Sequence, residues 1–389
     1  MLKKREKFLP YALPYWDNQE IEAVEAAIRS NWWSRGPKTG AFEEAFGKAV
    51  EAQFTVATNS CTAAMHTALA VKGIGPGDEV ITTPMTFCST ANVICHVGAK
   101  PVFADGLTQT GCIDPAAIAR AITPKTKAII PVHYAGQPCE MSAIEQLAAE
   151  HDLFLMEDAA HAFCTSYNGH PVGAKHTAAF SFYATKNLAT GEGGMLATDD
   201  EELAERARVF VSHGMSRGAW NRYAKGGTWH YDVKVAGYKY NMTDLQAALG
   251  LSQLKKIDYM QAKRKEYVHL YQALLKGIKG IRTPVEEFAQ GTPSWHLYLL
   301  RVKENELDIG RDTFIEELNA YNIGTSVHFI PVHLHPFYQE HYGTREGDFP
   351  VAEQIYQEVM SLPLYPSMTE EDVRYVAGAI REICTRHAR

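Results

Sequence analysis

Leu153-Phe154-Leu155-Met156-Glu157-Asp158-Ala159-Ala160-His161 is a short apolar run that ends in two carboxylates and a histidine. Ala179-Phe180-Ser181-Phe182-Tyr183-Ala184-Thr185-Lys186-Asn187 is a second such run, ending in a lysine and followed by Gly191-Glu192-Gly193-Gly194. Runs of this length and polarity predict buried strands at Leu153–Asp158 and Ala178–Tyr183. Similar runs at Thr55–Thr58, Glu79–Thr83, Pro101–Asp105, Lys127–His133 and Met195–Thr198 predict further strands. Helix-period segments lie between them. Phe42, Phe46 and Val50 share one face of Ala41–Glu51, and Ile144, Leu147 and Ala148 share one face of Ser142–His151. The alternation predicts an α/β fold with a mostly parallel sheet covered on both faces.

Farther along, residues 212–240 form a long aromatic and glycine-rich stretch (Arg217, Trp220, Arg222, Tyr223, Gly226-Gly227, Trp229, Tyr231). Loops this long in compact domains are usually functional, and a substrate lid or dimer cover is expected here. Asn241 to about Lys279 predicts one long connecting helix. Beyond Ile281, expected strands at His296–Val302 and Thr325–Phe329 and helices at Arg311–Tyr321 and Met368–Ile383 predict a smaller α+β C-terminal domain. The expected division is 1–255 for an N-terminal segment with the large domain and 256–389 for the small one.

Composition narrows the function classes. The 389 residues are 46% apolar and 21% charged with 29 Gly and 18 Pro, which is ordinary globular usage. A net charge of −7, from 38 Lys+Arg against 45 Asp+Glu, supplies no basic field for nucleic acid or an anionic membrane. The seven cysteines (61, 88, 95, 112, 139, 164, 384) include no Cys-x-x-Cys pair, so neither a disulfide framework nor a zinc ribbon is expected. The basic Met1–Lys7 start has no apolar run behind it, and no stretch reaches the roughly 18 apolar residues of a membrane span. The expectation is a cytoplasmic protein with no metal, nucleic-acid or membrane partner.

The strand ends carry the chemistry. Lys186 reads either as a surface lysine or as a desolvated amine poised as a Schiff-base nucleophile, with Ser181 near enough in sequence to bind a phosphate. Ligands of open α/β sheets bind beyond the carboxyl ends of strands, where Asp158 stands. It reads as a helix cap or as the acid that partners a cationic ring nitrogen, which pyridoxal phosphate needs to act as an electron sink. His161 would cover a ring face or hydrogen-bond the cofactor. Thr58-Asn59-Ser60-Cys61-Thr62-Ala63-Ala64-Met65-His66 joins a strand to a helix with small hydroxyl residues, a helix cap and a possible anion cradle. Phe87 follows the next strand and would stack on a ring or belong to the core.

The wording of several segments goes further. Trp33-Ser34-Arg35-Gly36-Pro37-Lys38, Pro131-Val132-His133-Tyr134-Ala135-Gly136, Glu157–His161, Thr185-Lys186-Asn187 with its glycines, Gly237-Tyr238-Lys239-Tyr240-Asn241-Met242-Thr243-Asp244 and Ser361-Leu362-Pro363-Leu364-Tyr365-Pro366 resemble the DegT/StrS-type nucleotide-sugar aminotransferases over nearly the whole chain. That resemblance implies a fold-type-I pyridoxal-phosphate transferase, homodimeric with shared sites, cycling between pyridoxal and pyridoxamine phosphate. Lys186 would hold the cofactor and shuttle the proton, Asp158 would pair with the ring nitrogen, and Phe87 and His161 would flank the ring. Cys61, Thr62, Ala63 and Ser181 would bind the phosphate, and the Lys239-Tyr240-Asn241 turn would reach the partner's phosphate. Many relatives have Gly where Cys61 stands and Asn and Arg where Lys239 and Asn241 stand, so the residue of that turn making the contact is open. Tyr11, Asn31, Trp32, Trp33, Ser34, Tyr183, Thr325, Ser326, Val327 and His328 would line the substrate pocket.

The Lys-Tyr-Asn turn resembles the branch that makes UDP-4-amino-4-deoxy-L-arabinose, and Gly324–Phe329 resembles 4-amino-4,6-dideoxy-hexose enzymes. The implied activity is amine transfer, with L-glutamate as donor, to C4 of a nucleotide-linked 4-keto sugar, the nucleotide being UDP. Rival readings are the same fold acting on a 3-keto sugar or an aminocyclitol precursor, and a PMP-dependent dehydratase, against which Lys186 argues. A scaffold that has lost activity is opposed by the complete cofactor set. A metal protein using His328, His333 and His335 is opposed by the intervening Pro331. A nicotinamide dehydrogenase fails because Gly73-x-Gly75-x-Gly77 precedes a strand instead of following one.

Overall fold

The computed structural model describes residues 2–215, 230–285 and 290–389. In chain order the strands are β1 (Phe54–Thr58), β2 (Glu79–Thr82), β3 (Lys100–Phe103), β4 (Thr126–Ile130) and β5 (Phe154–Asp158). There follow β6 (Ser166–Tyr167), β7 (His170–Pro171), β8 (Thr177–Ser181) and β9 (Gly194–Thr198). The last are β10 (Ile281–Arg282), β11 (Gly291–Thr292), β12 (Tyr298–Val302) and β13 (Val359–Leu362).

The main sheet runs β1-β9-β8-β5-β4-β2-β3. From β8 to β3 every pairing is parallel, and only β9 runs against its neighbours β8 and β1. This is the mostly parallel mixed sheet expected of fold type I. All the strands expected for it are present, with shifted ends. The one expected at Lys127–His133 stops at Ile130, where Pro131 has no N–H to continue the ladder.

Successive residues of these strands feed opposite faces. Val56, Ile130, Met156 and Ala179 pack on the side of the helices Cys61–Val71 and Glu201–Phe210. Their neighbours Ala57, Ile129, Leu155 and Ala178 pack on the other side, in the clusters that contain Phe42 and Ile144. A sheet buried on both faces has only its ends to offer a ligand.

A separate apolar cluster gathers Tyr267, Tyr271, Tyr298, Leu300, Phe314, Val376 and Ile380 around the antiparallel sheet β10-β12-β13. The helices Ile257–Leu275, Arg311–Ala320 and Glu370–Arg386 cover it. Two expectations fail here. The strand expected at Thr325–Phe329 is absent. Ser326 pairs with Ser361 at a single bridge, and β13 takes the place beside β12. His328 is drawn off the ladder by its side-chain bond to Ser361 Oγ (2.7 Å) and by the Tyr134 hydroxyl on its carbonyl.

The single helix expected from Asn241 to Lys279 is two, Asp244–Leu254 and Ile257–Leu275. At the break Lys256 Nζ pairs with Asp17 (2.9 Å) and Glu20 (2.5 Å), and Gln253 donates to Glu20 (3.0 Å). Contacts with the N-terminal helix therefore turn the chain where no glycine or proline marks it. Among the described residues no helix is long and apolar enough to cross a membrane.

Candidate active site

β1, β2, β5 and β8 point the same way, and the candidate residues follow their carboxyl ends. Asp158 is the last residue of β5 and is buried. Its Oδ2 accepts from the Thr90 hydroxyl at 2.7 Å and its Oδ1 from the Ala160 N–H at 3.1 Å. Burial raises the carboxyl pKa, while the Thr90 and Ala160 bonds and then the Lys186 and His133 charges oppose it.

Beyond β8 the chain turns at Tyr183 to Lys186, where Lys186 N–H bonds the Tyr183 carbonyl (2.9 Å), and returns to β9 through Gly193. Fully buried Phe182 anchors the excursion. Burial draws the Lys186 ammonium pKa down to about 8, with Cys61 and Asp158 pulling the other way. The Cys61 thiol is pushed well up by burial and by Asp158, and Lys186 opposes. Lysine, carboxylate and thiol thus feel one another's charge, with Asp158 and Cys61 buried and Lys186 half-buried.

The helix Cys61–Val71 starts beside them. Ser60 caps it by accepting from Ala63 N–H (3.1 Å), which leaves the Cys61 and Thr62 N–H groups, the first of the helix, without intrahelical partners. Ser181 pairs across the ladder with Gly194. A Cβ on Gly194 would overlap the backbone of Ser60 and Cys61, so glycine lets β9 press against the helix start. Ser181 and these two N–H groups lie where a phosphate is expected of Cys61, Thr62, Ala63 and Ser181, while the Ala63 N–H is taken by the Ser60 cap. The Lys239-Tyr240-Asn241 turn lies next to it, because Asn59 N–H bonds the Tyr240 carbonyl (2.6 Å) and Thr58 bridges Asn241. The Asn241 side-chain oxygen is buried without a hydrogen-bond partner.

Aromatic groups wall the space. His161 is buried and stacks on Phe329 at 5.7 Å, and its Nδ1 accepts from the Ala135 N–H (3.2 Å). Phe87 is 59% exposed, 6.0 Å from Phe329, which is the exposure an open stacking face would have. Tyr11 lies 5.8 Å from the His328 ring, bonds the Thr185 hydroxyl and feels Tyr183. Burial and Lys186 lower the His328 pKa to about 4.

Not every expected residue joins this group. Val327 packs into the apolar cluster with Tyr134 and Leu297. Asn31, Trp32, Trp33 and Ser34 are exposed, and their contacts run to Ile28 and Asp244. Thr325 and Ser326 are half-buried beside His328 in the chain. Residues 216–229 of the expected lid lie outside the described residues. His328 bonds Ser361 and His333 bonds Glu353 (2.8 Å), so two of the three histidines of the metal reading have separate partners. Supporting residues that sequence reasoning missed are Thr90, His296 and Ser361. Thr90 had no signal, and His296 reads as an ordinary core position of its strand.

A family model described as the DegT/DnrJ/EryC1/StrS aminotransferase family matches residues 14–381. The chain belongs to that family. It is 54% identical over 385 residues to the spore coat polysaccharide biosynthesis protein SpsC of Bacillus subtilis (strain 168), covering 98% of this chain and 99% of that protein. Among solved structures it is similar to the putative sugar aminotransferase Spr1654 from Streptococcus pneumoniae in its PMP form. The TM-score is 0.92 with 32% identity, over 97% of this chain and 99% of that one. It is also similar to Helicobacter pylori PseC, an aminotransferase involved in the biosynthesis of pseudoaminic acid, with a TM-score of 0.90 and 30% identity over 98% and 100% of the two chains.

The DegT/DnrJ/EryC1/StrS family is pyridoxal-phosphate-dependent, and Spr1654 is known in PLP and PMP forms. The donor set of this chain fits that group: a lysine of lowered pKa, a buried carboxylate, free N–H groups at a helix start and an exposed aromatic face.

Proposed function

We propose that this chain is a pyridoxal-phosphate-dependent sugar aminotransferase of polysaccharide biosynthesis. It would move an amine from L-glutamate to C4 of a UDP-linked 4-keto sugar, as a cytoplasmic homodimer. The carrying observation is half-buried Lys186 beside buried Asp158 and Cys61 at the carboxyl ends of the strands, next to a capped helix start. SpsC, described as a spore coat polysaccharide biosynthesis protein, and Spr1654, described as a putative sugar aminotransferase, support the sugar. The nucleotide, the C4 position and the donor rest on the likeness of the 237–244 and 324–329 segments. A division at residue 255 belongs to the same reading, supported by the helix break there and the separate cluster that follows.

The bound cofactor supplies an electron sink for negative charge at the carbon that carries the amine. Asp158 keeps an anionic oxygen for the ring nitrogen, held in place by Thr90. Cys61, Thr62, Ala63 and Ser181 would hold its phosphate, and Phe87 and His161 would flank its ring. An amine with a pKa of about 8 is about one-tenth unprotonated at pH 7, against less than about a thousandth for an ordinary lysine. Lys186 Nζ can therefore take up and return a proton at neutral pH. Tyr11, Tyr183 and His328 would face the sugar with Asn31 to Ser34, and the Lys239 turn would reach the partner's cofactor phosphate.

A panel of UDP-, dTDP- and GDP-linked 4-keto and 3-keto sugars with glutamate tests the reading. We expect 2-oxoglutarate and a 4-amino sugar from a UDP substrate. Turnover confined to 3-keto sugars would overturn the C4 assignment, and no turnover with any sugar would overturn the whole.

A further inference from the structure

His296 has no role in the proposed reaction, yet it lies against a residue that does. His296 is 5% exposed, and its ring centroid is 4.4 Å from that of His161, the planes tilted by 40°. The neighbours of the two rings dictate where their protons sit. The Ala135 N–H donates to His161 Nδ1, so the neutral His161 ring carries its proton on Nε2. His296 is held in the opposite form. The Asn187 amide nitrogen donates to Ser294 O (2.9 Å) and to Gln261 Oε1 (3.4 Å). Its oxygen is then the atom 3.1 Å from His296 Nδ1, and an amide oxygen only accepts. His296 Nδ1 must carry the hydrogen.

The surroundings leave little freedom to turn. Gln261 donates to the same Ser294 carbonyl (2.9 Å), Ser294 Oγ donates to the His161 carbonyl (2.7 Å), and Arg264 donates to the His296 carbonyl (3.2 Å). This network begins on the residue that follows Lys186 and ends behind the ring of His161.

We propose that Asn187 and His296 are positioning residues: Asn187 locks His296 as the uncharged Nδ1–H tautomer, and His296 holds the His161 ring as the back wall of the cofactor pocket. The inference rests on the reading of this space as that pocket. The groups that His296 faces are His161, Lys186, Arg264 and His328. Two of these are cationic side chains, so a proton added to His296 would meet repulsion as well as burial, and its pKa is driven well below the ordinary imidazole value. A neutral ring offers contact without placing a charge beside the Lys186 amine. The choice of asparagine follows. It accepts the Nδ1–H without the negative charge by which an aspartate would draw a second proton onto the ring.

The test is Asn187→Asp in the holoenzyme, followed by heavy-nitrogen NMR of the histidine rings and by the pH dependence of the visible band of Lys186-bound cofactor. In the parent, His296 should be neutral with its proton on Nδ1, and His161 neutral with its proton on Nε2, throughout about pH 6 to 8. In the variant, His296 should gain a proton as pH falls through that window. The midpoint of the visible band should shift by about one pH unit or more. We expect kcat to fall by up to about 100-fold with little change in KM. Should that variant fail to fold, His296→Phe, which keeps an uncharged ring, is compared with His296→Ala. The first should lose no more than about tenfold in kcat and keep the parent's midpoint, and the second should approach the 100-fold loss. A parent His296 protonated on Nε2 overturns the proposal. So does an Asn187→Asp protein whose ring spectra and pH profile superimpose on the parent's, or a His296→Ala protein with parent kcat. In each of those cases the parent is still coloured and active, whereas a parent that binds no pyridoxal phosphate defeats the reading of the pocket instead.

Discussion

The two ends of the main sheet contrast. At the amino ends of β4, β5 and β8 a groove of about 860 Å³ is lined by Lys72, Asp78, Lys127, Lys175, Asp199 and Asp200. Its charges are hydrated: Lys72 and Asp200 pair at 3.2 Å with side chains 37% and 41% exposed. At the carboxyl ends Asp158, His161 and His296 are buried and Lys186 is half-buried, and burial is the first cause of each displaced pKa. The groove has room and charge but no desolvation. Exposed ion pairs contribute little, whereas an enclosed amine or carboxylate has its protonation state set by the protein.

Lys186→Ala should give the largest effect, a fall in transamination of about ten-thousandfold with loss of the visible band on adding pyridoxal phosphate. Near-parent turnover would erase the contrast between the two ends. Next comes acid stability. The folded pKa of His328, about 4, lies below the ordinary value of about 6.5, so the unfolded chain takes up this proton first as pH falls. Its contribution is intact above about pH 6.5 and is lost progressively toward pH 4, to about 3 kcal/mol. His328→Gln should therefore show a shallower loss of denaturation midpoint between pH 7 and 4, and parallel curves would argue against an enclosed site.

Gly194→Ala should cost about 1–3 kcal/mol, since the new methyl meets the backbone of Ser60 and Cys61. Thermal denaturation with and without pyridoxal phosphate should show a smaller gain from the cofactor than in the parent; an equal gain would mean that the cradle tolerates the displacement. The smallest effect belongs to the groove. Lys72→Ala should change stability by less than about 1 kcal/mol in urea titration and leave activity as it was. A loss of activity there would give the amino end a function.

Much of the sheet was legible because its strands are buried on both faces and so read as continuous apolar runs, Leu153–Asp158 and Ala178–Tyr183 above all. The candidate cofactor residues were legible for a related reason: Asp158, Ser181 and Cys61 stand at a strand end or helix start and Lys186 a few residues beyond one, where local pattern and chemical type coincide. Where local pattern and tertiary contact disagree, the expectation failed. Lys256 breaks a helix because Asp17 and Glu20 lie across from it, and Thr325–Phe329 joins β13 only at Ser326 because Ser361 and Tyr134 hold His328 off the ladder.

By itself the sequence determined the α/β class, the order of the strands along the chain and the residue types of the candidate cofactor site. Only the tertiary structure decided which of those side chains are enclosed together, and that Asn187, Gln261 and Ser294, distant in sequence, orient His296. The physical reason is that hydrophobic periodicity is local, whereas desolvation and hydrogen-bond direction depend on neighbours that only folding brings within a few ångströms.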